Sequence, residues 1–189
     1  MKKLTKFFVA VAVIVLLAAA QSNVKAQAFQ NGDMVANLGA GFGWYSYGYG
    51  ATSFPAISVS LEKGVKELDF GILSVGGIVG FKKASYAWSS QYDYSWTDIV
   101  AAARGAVHVD VLKIEKLDTY AGAALGLRFE TYNYYDYVNF NYKKVKKSTV
   151  HPLFAFYVGG RYFFTENLAG FGELGYGLGY LTLGLSYKF

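Results

Sequence analysis

The sequence predicts an all-β fold, an eight-stranded antiparallel up-and-down transmembrane β-barrel. Eight stretches alternate apolar with small or polar residues at the period of a β-strand. Glycine (22) and aromatic residues (35) are abundant among the 189 residues, whereas proline occurs only twice. Short turns also alternate with longer polar and aromatic connections, which is the asymmetry of barrels that cross a bacterial outer membrane. An even number of antiparallel strands returns both chain termini to the same side of the membrane.

The first residues have the pattern of a secretory signal peptide. Lysines precede an apolar run at residues 7–20, and small residues follow it at Val24, Ala26 and Ala28. A membrane-spanning helix is disfavoured because the run falls short of the ~20 apolar residues that a bilayer requires. We therefore expect a signal peptide at 1–26, cleaved after Ala26 or Ala28, and a barrel domain at 27–189.

Charge and cysteine content exclude several function classes. The full chain carries 18 Lys and Arg against 13 Asp and Glu. Removing the signal peptide removes four lysines and leaves a net charge of about +1, so the basic composition does not indicate nucleic-acid binding. The chain has no cysteine, which excludes disulfides and thiolate chemistry.

The first four predicted strands lie in the first 111 residues. Residues 34–44 and 54–62 alternate cleanly, with Leu38 and Val59 on their apolar faces. The pattern of 68–81 is blurred at Gly76–Gly77, where we expect a β-bulge. Residues 96–111 place Ile99 and Val107 opposite Arg104 and His108.

The second half of the chain repeats this scheme at 118–131, 150–164, 168–177 and 180–189. In the last stretch Leu181, Leu183, Leu185, Tyr187 and Phe189 share one face, while Thr182, Gly184, Ser186 and Lys188 share the other. We assign the apolar rows to lipid, because glycines mixed with mid-strand charges suit the narrow interior of an eight-stranded barrel.

The connections follow from these strands. We expect short turns at 63–67, 112–117 and 165–167, long loops at 45–53, 82–95 and 132–149, and a final hairpin around 178–179. Tyrosine and tryptophan collect at strand ends, where interfacial girdles lie in membrane barrels, at Trp44, Tyr45, Trp96, Tyr132, Tyr162 and Tyr187.

The mature chain resembles the small eight-stranded outer-membrane β-barrel proteins of Bacteroidetes-type bacteria, broadly the OmpA/OmpX-like barrels. The resemblance is carried by A-R-G-A-V-H-V (103–109), Y-A-G-A-A-L-G-L-R (120–128), F-G-E-L-G-Y-G (171–177) and L-G-L-S-Y-K-F (183–189). It implies that the terminal Phe189, with Tyr187 on the same row, is similar to the signal read by the outer-membrane assembly machinery. No peptidoglycan-binding domain is expected after the barrel.

Charged side chains on the inner rows are candidates for a polar network in the lumen. They are Glu62, Arg104, His108, Asp110, Arg128, Glu130, Arg161, Glu173 and Lys188. The planar fork of arginine can hold two carboxylates, so we interpret the set as an ion-pair network that fills the barrel. A selectivity ring or a catalytic acid-base pair is the alternative.

His108 and Asp110 share one strand face, which is the strongest sequence indication of a hydrolase. No nucleophile motif such as G-x-S-x-G accompanies them, and His151 lies at the opposite end of the barrel. We therefore predict structural histidines, no catalytic residues, no cofactor and no metal site.

The basic cluster Lys143, Lys144, Lys146 and Lys147 lies in the longest predicted loop. Clustered ammonium groups bind anionic surfaces, so this possible surface-binding loop could contact lipopolysaccharide phosphates or an external partner. A solvated loop tip is the alternative.

The sequence thus predicts a non-enzymatic integral protein of the cell outer membrane with a structural or surface-interaction role. The expected partners are outer-membrane lipid, lipopolysaccharide and the assembly machinery, and we expect a monomer that binds no nucleic acid. A narrow porin-like channel and a lipid-modifying outer-membrane enzyme are the alternatives.

Overall fold

The structure is a computed structural model that describes residues 29–43, 52–87, 93–110, 112, 114–138 and 141–189. The predicted signal peptide and the girdle residues Trp44 and Tyr45 lie outside these ranges. In the described part of the chain, no helix is long and apolar enough to span a membrane.

Nine β-strands follow one another along the described chain. They are β1 (Met34–Phe42), β2 (Thr52–Ser53), β3 (Ala56–Leu68), β4 (Gly71–Ala87), β5 (Asp93–Val109), β6 (Leu117–Val138), β7 (Asn141–Phe163), β8 (Leu168–Tyr176) and β9 (Leu181–Lys188).

Eight of these strands close into a ring of antiparallel pairs. The ring runs β1-β3-β4-β5-β6-β7-β8-β9 and returns to β1, and the short β2 pairs with β4 outside it. Closure leaves the ring without a sheet edge over its shared length. The predicted all-β, eight-stranded, antiparallel up-and-down barrel is therefore confirmed.

The two faces of the barrel have inverted polarity compared with a water-soluble domain. In β3 the buried residues include Ser58, Ser60 and Glu62, while Val59 and Leu61 between them are exposed. The exposed outer belt consists of large apolar side chains from every strand of the ring, among them Leu38, Ile57, Val79, Ile99, Leu125, Phe154, Leu174 and Leu183. The alternation read from the sequence thus predicts which side chains point inward.

Two details of strand pairing differ from the predictions. The pairing of β3 with β4 is regular through Gly76 and Gly77, and its irregularity falls between Gly64 and Lys66, so the predicted bulge was placed on the wrong strand. The turn predicted at 63–67 is also wrong, because β3 continues to Leu68 and the turn follows it at residues 69–70.

Two of the predicted long loops are largely β-structure. β4 and β5 pair as far as Ala87 and Asp93, and β6 pairs with β7 as far as Val138 and Asn141. β3 begins only at Ala56, and β8 pairs with β7 no further than Phe156. We call the part of β4–β7 beyond the neighbouring strands the extended sheet (84–87, 93–96, 131–138 and 141–148).

Glycine is required at two turns on the rim of the barrel. Gly43 follows β1 with a φ of 73°, and Gly177 follows β8 with a φ of 94°. Residues other than glycine rarely adopt these positive φ angles. Both strands can therefore stop abruptly, and β7 continues beyond the end of its neighbour β8.

Candidate functional site

The candidate site is the polar interior of the barrel, which begins with an ion cluster near the short-turn end. Arg161 on β7 has no solvent exposure. Its guanidinium donates a hydrogen bond to Glu62 and a second one, of 3.0 Å, to Oδ2 of Asp118. Arg161 is thus held between two buried carboxylates, Asp118 on the neighbouring strand β6 and Glu62 on β3 across the barrel, an arrangement that the guanidinium fork suits.

His108 extends this cluster through both ring nitrogens. Nδ1 lies 2.8 Å from Oδ1 of Asp118, and Nε2 lies 2.9 Å from the Ser74 hydroxyl. A neutral imidazole satisfies both contacts, with Nδ1–H donating to the carboxylate and Nε2 accepting from the serine. The ring of Phe29 stacks on His108 with a centroid distance of 4.1 Å.

Ser74 contacts His108 and His108 contacts Asp118, which is the connectivity of a hydrolytic triad. However, Ser74 and His108 are both buried, and Phe29 covers the imidazole. Asp118 is also paired with Arg161, so its charge is already neutralised within the cluster. The arrangement can orient and satisfy buried polar groups, but it offers no open position for a substrate.

A second ion pair fills the middle of the barrel. Nη2 of Arg104 lies 2.7 Å from Oε1 of Glu173 across the interior. The hydroxyl of Tyr120 donates to the same carboxylate at 3.0 Å, and Nε of Arg104 donates to the Tyr157 hydroxyl at 3.1 Å. The free space beside this pair amounts to about 20 Å³, which is room for about one water molecule.

A third group lies nearer the rim. Arg128 donates to Glu130 and lies 3.5 Å from Asp98 (Nε to Oδ1). His151 lies 3.9 Å from Glu130 through Nε2. The Arg128 side chain is 19% exposed, whereas Asp98 has no exposure. This rim group is therefore wetter than the two clusters below it.

The remaining predicted lumen residues differ in their placement. Lys188 lies 3.5 Å from Asp33 (Nζ to Oδ2) and over the ring of Phe163, at the short-turn end. Asp110 is exposed and follows the last residue of β5, so its predicted place in the interior is wrong. The carboxylate that meets His108 is Asp118, which reaches it from the start of β6.

Sequence reasoning missed two buried acids, Asp98 and Asp118. Both lie at even positions of their strands, two residues from the even-numbered Val100 and Tyr120, which are buried. The same alternation that places Arg104 and Glu130 inside could have placed them. The buried Asn37 donates a hydrogen bond to the Ser60 hydroxyl at 2.9 Å and accepts one from the Ser186 hydroxyl at 2.6 Å. Ser74 and Asn37 were missed as network members because neither carries a charge.

The lysine cluster lies on the extended sheet. Lys143, Lys144, Lys146 and Lys147 all belong to β7 and are exposed. They occupy alternating faces, because Lys147 pairs with Tyr132 and Lys146 with Asn133. The cluster is therefore not a structureless loop tip.

The aromatic residues at the strand ends, including those predicted to form a girdle, divide between the outer and the inner face of the barrel. Phe189 and Tyr187 are exposed on the outer row, and the Phe189 amide donates to the carbonyl of Met34 at 2.9 Å. Tyr162 is also exposed on the outside. Trp96 and Tyr132 lie instead on the sheet face of the buried Asp98, so they do not belong to an outer girdle.

The phenol of Tyr132, on the extended sheet, has a shifted pKa. Partial burial, together with Tyr94 and Tyr134 nearby, raises the pKa of Tyr132. Among the described residues, no group of three or more His, Asp or Glu side chains could hold a metal ion.

No protein-family model matches the sequence, and no curated protein matches it. Among solved structures, the chain is similar to Ail, the attachment invasion locus protein of Yersinia pestis. The identity is 13%, the match covers 85% of this chain and 100% of Ail, and the TM-score is 0.51.

A second structure of Ail, in complex with the heparin analogue sucrose octasulfate, matches with 11% identity, the same coverage and a TM-score of 0.52. The N-terminal β-barrel domain of Pseudomonas aeruginosa OprF matches with 15% identity over 84% of this chain and 98% of that domain, at a TM-score of 0.41. At these identities the likeness to Ail supports the barrel fold alone.

Proposed function

We propose that the protein is a non-enzymatic integral barrel of the cell outer membrane with a structural or surface-interaction role and a lumen filled by polar side chains. The observation that carries this proposal is the inverted polarity of the barrel. Leu125 is 64% exposed in mid-strand, while Arg161 has no exposure in the interior.

Lipid is the solvent that stabilises such a surface. A water-soluble protein rarely exposes a continuous apolar patch beyond a few hundred Å², and here the apolar belt surrounds the barrel. A bilayer removes the cost of that exposure. It also requires that every backbone group of the wall be paired, which ring closure achieves.

The filled lumen favours a plug over a pore. Arg161 crosses the interior to Glu62, Arg104 crosses it to Glu173, and Tyr120 and Tyr157 occupy much of the remaining space. An eight-stranded barrel is just wide enough for side chains. The narrow porin-like channel is therefore the second candidate function.

A lipid-modifying enzyme is less favoured for a different reason. The group most like a catalytic site, Ser74–His108–Asp118, is enclosed at the short-turn end. A membrane lipid would have to pass the ion clusters or Phe29 to reach the Ser74 hydroxyl.

The partners follow from the same placement. Lys144 and Lys146, on the outer face of the extended sheet, would bind the phosphates of surrounding lipopolysaccharide. The outer row of β9 with Tyr187 and Phe189 would carry the signal for the assembly machinery. The barrel is proposed to act as a monomer, exported by its signal peptide.

Fractionation and bilayer recordings test the proposal. We expect the protein in the outer-membrane fraction, a boiling-dependent shift on SDS gels, and no steady conductance from purified protein in planar bilayers. Sustained single-channel currents would establish the channel instead. A change in lipid A mass between a deletion strain and its parent would establish the enzyme, and recovery in the soluble fraction would overturn the membrane assignment.

A further inference from the structure

Five aromatic side chains lie together on the interior-facing side of the extended sheet. They are Tyr86, Tyr94, Trp96, Tyr132 and Tyr134, which we call the aromatic platform. Cross-strand pairing aligns Tyr86 with Tyr94, and Trp96 with Tyr132. All five are partly exposed, so the platform is accessible at its surface.

The rings are ordered relative to one another. Tyr132 stacks between Trp96 and Tyr134, with centroid distances of 5.1 Å and interplanar angles of 19° and 15°. Tyr94 lies 6.5 Å from Tyr132 at 20° and 6.5 Å from Tyr86. Tyr86, Tyr94, Trp96 and Tyr132 together line a shallow open hollow.

Charged groups border this hollow on two sides. Glu130 lies two residues before Tyr132 on the same face of β6, and its side chain is 26% exposed. At the end of the Trp96–Tyr132 row, Lys147 is exposed and forms no ion pair with any described residue. The site therefore combines aromatic walls, phenol groups, one carboxylate that Arg128 also contacts, and one ammonium group with no ion-pair partner among the described residues.

This combination matches the chemistry of an acidic sugar. The C–H faces of a pyranose pack against the negative faces of aromatic rings, and its hydroxyls pair with phenols and carboxylates. An anionic substituent would pair with Lys147. A flat apolar partner alone would leave the charged border of the hollow unused.

The direction of the platform indicates where the ligand comes from. Its rings lie on the sheet face that continues the barrel interior, whereas membrane lipid contacts the opposite, outer face. A saccharide that reaches the platform therefore comes from the medium outside the cell rather than from the surrounding lipopolysaccharide.

We infer that the aromatic platform binds an acidic polysaccharide presented from outside the cell, with Lys147 holding its anionic group. The inference rests on the proposed function in one respect: the extended sheet lies outside the cell only if the barrel is in the outer membrane. Binding itself requires only the folded barrel.

Tryptophan fluorescence can test this binding directly. The chain has three tryptophans, and substitution of Trp44→Phe and Trp88→Phe leaves Trp96 in the platform as the reporter. Detergent-folded protein is titrated with dextran sulfate, polygalacturonate and hyaluronate, and with uncharged dextran as the matched neutral chain. We expect a saturable change with at least one acidic chain and binding to dextran about tenfold weaker or absent.

Adjacent lysines on opposite faces supply the control variants. Lys147→Gln should weaken acidic-chain binding about tenfold, while Lys146→Gln leaves it within about twofold. Tyr132→Ala should cost a similar factor, as truncation of an aromatic anchor does, while Tyr142→Ala on the outer face should not. Each variant is first checked for the boiling-dependent gel shift, so that loss of the barrel is distinguished from loss of the site.

Three results would overturn the inference in folded protein. They are no saturable change with any acidic chain, equal binding of dextran and dextran sulfate, and equal losses for Lys146→Gln and Lys147→Gln. Competition by purified lipopolysaccharide at the same site would overturn the proposed source of the ligand.

Discussion

Replacing Arg161 by methionine tests the ion cluster on which the filled lumen depends. Arg161 has no exposure, and Glu62 and Asp118 are 1% and 3% exposed. At the 3.0 Å separation from Asp118, one such pair contributes about 5.5 kcal/mol of attraction at an effective dielectric constant of about 20. Methionine preserves most of the side-chain volume while leaving both carboxylates buried without their cation.

Removing one partner of a buried ion pair costs about 3–5 kcal/mol, and we expect a loss of that size in the free energy of unfolding. Urea titration in lipid vesicles, read by the boiling-dependent gel shift, measures it. Arg128→Met is the matched control, because Arg128 and its partner Glu130 are 19% and 26% exposed and water screens that pair. We expect a loss of about 1 kcal/mol there.

A double variant separates the free-energy cost of an unpaired buried carboxylate from the cost of lost packing. Arg161→Met combined with Glu62→Gln should recover part of the loss, because one unpaired carboxylate is removed. If Arg161→Met were as stable as the parent, or if Arg128→Met cost more, the buried cluster would not be what stabilises the interior.

Three further changes probe the barrel wall, the close packing inside it and the terminal strand. Leu125→Arg places a charge on the outer belt and should cost about 2–4 kcal/mol in vesicles, and unchanged stability there would mean that the faces are reversed. Gly159→Ala should destabilise the barrel by about 1–3 kcal/mol, because the added Cβ would lie 2.8 Å from the Tyr120 ring. The neighbouring Gly160→Ala should be neutral, because the nearest atom to its added Cβ lies 3.8 Å away. Equal effects of the two variants in urea titration would contradict the packing described. Deleting Phe189 should leave export intact but reduce the folded, heat-shifting fraction in membranes, and normal folding in cells would refute its role as an assembly signal.

The predicted faces depended on alternation alone, which is why so many of them agree with the structure. Successive side chains of a strand point to opposite sides, so a single residue of known direction orients its whole strand. Arg104 and Arg161 could be placed inside, and Leu125 and Phe154 outside, without knowing which strands pair.

The choice of partners needed the closed ring. Asp110 is two residues from His108, yet the strand ends before it, and Asp118 reaches the histidine from the next strand. Likewise Arg161 meets Glu62 from a strand 99 positions away in the chain. Local spacing contains no information about such contacts, because register and closure decide them.

Strand length was also decided by the tertiary structure. Residues 82–95 and 132–149 are rich in polar and aromatic side chains, so the sequence predicted loops there. In the structure the two arms of each segment pair with each other as a β-hairpin, which lengthens β4 and β5 in the first case and β6 and β7 in the second. Because the strands continue, the same alternation that places Arg104 inside also places Trp96 and Tyr132 on the interior-facing side rather than toward the lipid. The sequence by itself determined the barrel class and the polarity of its faces through the two-residue period of a strand. Only the folded ring decided which charges meet and where the aromatic rings gather, because these depend on the alignment of distant strands.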